Sequence, residues 1–269
     1  MALSPALAAA FEARFGGDCG AEDEGLDREA RAALLALTDR RACRRFQARG
    51  VEEGLMRLVL AAGFSAPSKS DLQQADIVWV RDPAIRAEVI REAGDWVPGA
   101  PELLVICGNG ARFAALFEDA DFPNKHFDAL FNATGDAAIL LANLVAAAAV
   151  AGLGACPISV LRNRAAAVSE ALALPARVFP FAGLALGWPE EPEAALSARL
   201  GPAGALHIDR FDSAGQAEAV AAYDARRSAR QTGSDGTPFL WTIAKRRQYS
   251  KAQRADFGAF LRAKGFSFE

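Results

Sequence analysis

The sequence predicts a mixed fold, α+β or α/β, and three observations carry that prediction. Long helical periodicities alternate with a few short apolar runs of strand length, no segment repeats, and 269 residues at 52% hydrophobic content can bury a large core. Length admits one domain or two. The preferred reading is one large domain over residues 28–269, preceded by a mobile N-terminal extension over 1–27.

Residues 16–25 are rich in Gly and acidic residues and read as an irregular lead-in, after which 28–37 shows helical periodicity that Thr38-Asp39 stops. Val51, Leu55, Leu58, Val59 and Ala62 recur at helical spacing, with Gly63 as the C-terminal stop. Residues 65–73 form a loop, and 76–81, centred on Ile77-Val78-Trp79-Val80, form a strand. Pro83 starts a helix reaching Gly94, and 103–107 is a second buried strand. Residues 131–151 make the long central helix, ended by Gly152 and Gly154. Its apolar part, 137–152, nearly has the length to span a bilayer, yet Asn143, the preceding Asp136 and the abundance of alanine make it a buried core helix. Residues 162–174 are a further helix, stopped by Pro175. Residues 178–186 form a strand in which Pro180 requires an edge position or a bulge, because proline has no N–H for the ladder. Helices over 214–230 and 251–264 complete the chain, separated by a Gly/Ser/Pro-rich loop at 232–238.

Composition removes several functions. With 30 Lys+Arg against 33 Asp+Glu the net charge is −3, so the chain has no basic footprint for nucleic acid. Cys19, Cys43, Cys107 and Cys156 stand far apart without a C-x-x-C pair, which fits a reducing cytoplasm. The Ala-rich start lacks a basic n-region and is interrupted by Glu12 and Arg14, unlike a signal peptide, and neither membrane nor nucleic acid is expected as a partner. His126 and His207 have no partner at ligand spacing, so no metal is expected; His207, within Leu206-His207-Ile208, reads as strand or strand edge. Gly108-Asn109-Gly110 and Gly152-Leu153-Gly154-Ala155 lack the third glycine of a dinucleotide fingerprint, and no nucleophile elbow or P-loop occurs.

Two segments carry chemistry. Arg40-Arg41-Ala42-Cys43-Arg44-Arg45-Phe46 groups guanidinium forks suited to phosphate, and Ala66-Pro67-Ser68-Lys69-Ser70-Asp71-Leu72-Gln73 offers hydroxyls and free backbone N–H groups for a polar ligand. By itself the arginine run reads equally as a cationic cap on the preceding helix, and the turn as an ordinary loop.

Together they resemble the FMN-dependent nitroreductases, in particular the group of the major oxygen-insensitive nitroreductases and NADPH:flavin oxidoreductases. The arginine segment is similar to that family's Arg-x-Ser-x-Arg-x-Phe opening, and residues 66–73 to its Ala-Pro-Ser-x-x-Asn-x-Gln turn. Gly152-Leu153-Gly154 through Leu161-Arg162-Asn163, and Gly183-Leu184-Ala185-Leu186-Gly187-Trp188-Pro189, resemble two further segments in the same order. The resemblance implies an α+β fold, a central, mainly antiparallel sheet flanked by helices, in an intertwined homodimer with FMN at the subunit interface. It implies FMN contacts for Arg40, Ala42 (through its backbone, where the family has serine), Arg44 and Arg199. Ser68, Lys69, Ser70 and Gln73 would complete the pocket from the partner subunit, and backbone N–H groups of Ile158 and Ser159 would line the isoalloxazine. Ser197 stands where the group often carries a lysine near flavin N1/O2, and Lys69 is the candidate to replace it. Ile158-Ser159-Val160 replaces consecutive glycines.

The activity implied is two-electron, ping-pong hydride transfer from NAD(P)H through FMN to a small-molecule acceptor such as a nitroaromatic or quinone. No catalytic side chain is required. The related NADPH-using enzymes place arginine on the 2′-phosphate after an Ala-x-Tyr-Asp helix, which here points to Arg226, Arg227 and above all Arg230, and to NADPH over NADH. Alternatives are a flavin reductase that releases reduced FMN, a non-redox FMN-binding regulatory protein, and a colourless anion-binding module.

Overall fold

The computed structural model describes residues 3–113, 126–190, 195–233 and 236–268. By packing, the chain divides into two units, Met1–Arg41 with Ala195–Gln253, and Ala42–Ala194 with Arg254–Glu269.

The second unit is built on a four-stranded sheet of β1 (Ala75–Trp79), β2 (Glu102–Asn109), β3 (Gly154–Ile158) and β4 (Val178–Gly187), in the order β1-β2-β4-β3 with every neighbouring pair antiparallel. The class is therefore α+β. β2 and β4 lie inside the sheet and are covered on both faces, which explains why they read as continuous apolar runs rather than as alternating ones.

One face holds Leu104, Ile106, Leu184 and Leu186 under Met56 and Val59 of α3 (Glu53–Phe64) and Ala137, Leu140 and Leu144 of α5 (Phe127–Val150). The opposite face holds Leu103, Val105 and Cys107 with Val89 of α4 (Pro83–Val89) and Val168 of α6 (Ala165–Ala171). Successive β2 residues thus serve opposite layers, as strand geometry requires. α9 (Phe257–Ala263) closes one end, with Leu261 and Phe266 against Phe179 and Leu130.

Several sequence expectations change. Gly63 does not end α3. It is buried within the helix, where an added Cβ would stand 2.4 Å from a Leu144 methyl, so glycine lets α3 and α5 approach closely. α4 stops at Val89 and not at Gly94, and residues 160–164 form a 3-10 turn ahead of a short α6. α5 starts four residues before the expected Phe131 and has the length and apolarity to cross a membrane; its buried Ala133, Ala137, Leu140, Leu144 and Ala148 pack within this unit.

Pro180 sits beside a bulge on an interior strand, one of the two settings the sequence allowed. The register slips between Ile106, paired with Ala182, and Cys107, paired with Pro180, so Phe181 is the extra residue of a bulge. The Phe181 carbonyl accepts a bond from Arg162 Nη1 at 2.6 Å, giving the Leu161-Arg162-Asn163 segment a structural duty. Pairing of β3 covers only Gly183 to Gly187 of β4, so the proline removes no bond to β3.

The first unit contains α1 (Pro5–Phe15), α2 (Arg28–Asp39), α7 (Gln216–Ser228) and α8 (Trp241–Gln248). α2 is capped by Asp27, which accepts the Ala30 N–H, and runs through Thr38-Asp39, because the Thr38 hydroxyl bonds back to the Leu34 carbonyl. Residues 1–27 hold α1, with Leu7, Ala10 and Arg14 buried, and Asp23 ties the Ser4 N–H to the Arg31 guanidinium. α8 was not expected. Its start is fixed by Asp224, whose carboxylate takes the Trp241 N–H at 2.5 Å and the Thr242 hydroxyl. The helix expected over 251–264 is correspondingly shorter, spanning only α9. His207 lies in no strand; its Nδ1 accepts the Asp212 N–H and its ring centre lies 4.4 Å from that of Phe211, the two planes tilted by 40°.

Candidate active site

In the first unit the end of α2 and the segment 197–199 bring together Arg14, Arg40, Arg41 and Arg199. Arg14 is the centre. Its guanidinium donates to the Thr38 carbonyl from Nε at 3.0 Å and Nη2 at 2.7 Å, to the Arg40 carbonyl at 2.6 Å and to the Ser197 carbonyl at 2.8 Å. The Arg14 carbonyl accepts the Arg199 N–H at 2.7 Å.

The cluster has too much positive charge for the acids around it. Asp39 pairs with Arg41 at 3.2 Å, while Arg40 and Arg199 have no carboxylate within ion-pair distance among the described residues. Burial first, and then the charges of Arg199 and Arg40, bring Arg14 down to about 10; burial and Arg199 lower Arg40 as well. A polyanion held between Arg40 and Arg199 would offset the repulsion among these charges. Phosphate fits this donor set, since guanidinium forks present planar, charge-assisted donors to its oxygens.

In the second unit Ala42 bridges to Ala155 of β3 and the Cys43 N–H donates to the Ala155 carbonyl at 3.1 Å. Gly154 is needed there. An added Cβ would lie 2.5 Å from Cys43 Sγ, so the Gly152-Leu153-Gly154 segment lets the arginine-bearing strand approach the sheet. Arg44 is exposed, with its guanidinium carbon 5.9 Å from the Trp96 ring centre, and it offsets part of the upward shift that burial imposes on the Cys156 thiol.

The 68–73 loop has an unusual backbone. Ser70, Asp71 and Gln73 all have positive φ, at 49°, 57° and 49°, a conformation that non-glycine residues adopt at a cost. Asp136 of α5, 3% exposed, holds it: its two carboxylate oxygens accept the N–H groups of Lys69 and Gln74, each at 2.8 Å. Within the loop Ser68 Oγ accepts the Gln73 N–H at 3.2 Å, Lys69 Nζ donates to Ser70 Oγ at 2.8 Å, and Gln73 donates to Asp71 at 3.1 Å.

Ile158 is buried at the end of β3 and Ser159 is exposed beside it. Arg254 braces this corner by donating to Asn163 Oδ1 at 2.9 Å and approaching Ser159 Oγ at 3.5 Å. Arg230, in the first unit, donates to the Ala13 carbonyl at 2.5 Å. Arg227 is held by the Tyr223 hydroxyl at 2.7 Å and lies 4.7 Å from the Phe239 ring centre.

The structure therefore groups Arg40 with Arg199, and the loop residues Ser68, Lys69, Ser70 and Gln73 with one another. Sequence reasoning missed Arg14 and Asp136. Each had a signal: a charged residue inside an apolar helical stretch, Ala-rich in one case and the long central helix in the other, is there because something buried is bonded to it.

An α+β fold that carries an arginine cluster in one unit and a strained polar loop in the other has donors of the kind that phosphorylated small molecules take. The Nitroreductase family model matches residues 37–188, more than half of the chain, and that of the Nitroreductase family, C-terminal domain, matches 197–269. The chain belongs to the nitroreductase family. It is 31% identical to the FMN reductase [NAD(P)H] of Bacillus subtilis over 167 residues, 60% of this chain and 67% of that protein. To the oxygen-insensitive NADPH nitroreductase of Salmonella typhimurium it is 28% identical over 236 residues, 86% of this chain and 96% of that one. NfrA2 from B. megaterium superposes with a TM-score of 0.82 at 26% identity, covering 88% of this chain and 99% of that one.

Proposed function

We propose that this protein is an FMN-dependent NAD(P)H oxidoreductase that reduces small acceptors such as nitroaromatics or quinones in two-electron steps. One observation carries it: an arginine pair, half-buried Arg40 and exposed Arg199, left without an acid among the described residues in a chain of the nitroreductase family. In this reading Arg40 and Arg199 hold the cofactor phosphate. Arg44, the Ala42 backbone, Ser68, Lys69, Ser70 and Gln73 take the ribityl chain and ring edge, and Ile158 and Ser159 offer backbone N–H groups to the ring. FMN supplies reversible uptake and delivery of an electron pair. The side chains orient and stabilise; none is needed to move a proton. Lys69 brings the positive charge that suits a ring gaining electrons, and the strained loop presents it without further reorganisation.

The test is the visible spectrum of the purified protein before and after anaerobic NADPH. A yellow protein that bleaches supports the reading, whereas a colourless protein that takes up no added FMN removes it. Rapid turnover of free FMN would move the assignment to a flavin reductase, a reading favoured by the relative in Bacillus subtilis.

Exposed Leu58 and Phe64 on α3, and Phe127, Phe131, Ile139 and Val150 on α5, leave an apolar surface of the kind that self-association covers. A homodimer in the cytoplasm, where its four free cysteines stay reduced, fits these features. The flavin-loaded protein is expected to sediment as a dimer, and a yellow monomer would contradict it.

NADPH is expected over NADH, with Arg230 contributing most, since it is exposed and its guanidinium donates to the Ala13 carbonyl alone among the described residues, whereas half-buried Arg227 is held by the Tyr223 hydroxyl and lies against the Tyr223 and Phe239 rings. Steady-state kinetics with both nucleotides on the wild type and the Arg226/Arg227/Arg230 triple alanine variant decide this. A preference for NADPH that survives all three replacements sinks it.

A further inference from the structure

Residues 1–36 precede the segments matched by the family models, and α1 places one of them, Arg14, beneath the arginine cluster. We infer that Arg14 is a positioning residue for the cofactor phosphate, joining through its guanidinium the two backbone segments that carry Arg40 and Arg199. The inference rests on the FMN reading proposed above.

The geometry is specific. Four donor contacts from one side chain reach three carbonyl groups: Thr38, Arg40 itself, and Ser197, two residues before Arg199. The return bond from the Arg199 N–H to the Arg14 carbonyl fixes the second segment from the other side. Arg14 is 5% exposed and four of its five N–H donors go to carbonyls, so it serves the ligand through Arg40 and Arg199 and not by direct contact. A fully exposed arginine gains little by clustering with three others; a buried one is tolerated here because carbonyl dipoles solvate it, and its charge adds to the field around Arg40 and Arg199. Gly16, φ 80°, ends α1 so that the chain turns away directly after this contact, and any Cβ there would strike the Arg226 side chain.

Lysine cannot reproduce the arrangement. Its ammonium is a point charge and cannot span three carbonyls with a planar fork. Both Arg14→Met and Arg14→Lys are therefore informative, the second keeping the charge if the first fails to fold.

The experiment titrates the full-length apo-protein with FMN and, separately, with riboflavin, which has the same ring and no phosphate. Arg14→Met is expected to weaken FMN by about tenfold or more, with riboflavin held to within about twofold of wild type. Arg14→Lys is expected to weaken FMN severalfold with riboflavin again unmoved. The inference is overturned if both variants bind FMN as the wild type does, or if riboflavin weakens in step with FMN. Failure of the wild type to bind FMN strikes the functional reading instead. In that case inorganic phosphate is the probe: a rise in Tm with phosphate in the wild type that is lost in Arg14→Lys upholds the role of Arg14 in an anion site, and equal shifts overturn it.

Discussion

Replacing Asp136 with alanine is expected to destabilise the protein by about 3–5 kcal/mol, among the largest effects of any single change. The carboxylate is 3% exposed and takes the Lys69 and Gln74 N–H groups at 2.8 Å each, so its removal abandons two charge-assisted bonds inside the fold. Each such bond contributes roughly 1.5–3 kcal/mol, and a buried N–H left without a partner adds its own desolvation cost. Asparagine does not rescue the site, because its NH₂ would face one of the two N–H donors. The positive φ values at Ser70, Asp71 and Gln73 are held against their own strain by this anchor, so the loop should relax when it goes. Urea unfolding measures the stability, and proteolysis of the loop measures its release. A loss under about 1 kcal/mol would show that the loop holds itself.

Removing Arg40 and Arg199 together is expected to weaken FMN by about 3–6 kcal/mol, on the order of a hundredfold to ten-thousandfold, each guanidinium contributing roughly 1.5–3 kcal/mol. The same double alanine variant should leave the apo-protein as stable as wild type or more so. Arg14 and Arg40 are both depressed by burial and by Arg199, and the repulsion disappears with the charges that cause it. Opposite signs for cofactor affinity and apo stability are the mark of a binding site in which charge is held in readiness. Titration with FMN and thermal unfolding of the apo-protein read the two quantities separately. A variant that binds FMN normally removes the phosphate assignment, and Arg44→Ala, expected to weaken FMN by about 1.5–3 kcal/mol, tests the second unit's residue independently.

Much of the fold was legible because burial writes itself into periodicity. The apolar runs at 103–107 and 178–186 became β2 and β4 because interior strands must be apolar on both faces, and the long alanine-rich stretch became α5 because it packs on them. What was misplaced depended on distant partners. Gly63 read as a helix stop, yet it answers to Leu144, and Pro180 asked for an edge or a bulge without saying which. α8 escaped notice because its start is capped by Asp224, a residue seventeen positions earlier on another helix.

The candidate site divides in the same way. The order of the Arg-rich segment, the Pro67-Ser68-Lys69-Ser70 turn, the Gly152-Leu153-Gly154 pair and the Gly187-Trp188-Pro189 end was enough to point to the family, because residue type and order are carried by the chain itself. Only the tertiary structure decided which charges meet. Arg14, Arg40 and Arg199 are spread across nearly two hundred positions, and nothing local marks a carbonyl of Ser197 as the partner of a guanidinium on α1. Asp136 likewise looks like a polar lead-in to an apolar run until the sheet brings residues 69 and 74 over it. Local propensity and pattern are fixed by near neighbours, whereas desolvation, repulsion and the pinning of a strained loop exist only between groups that folding brings into contact.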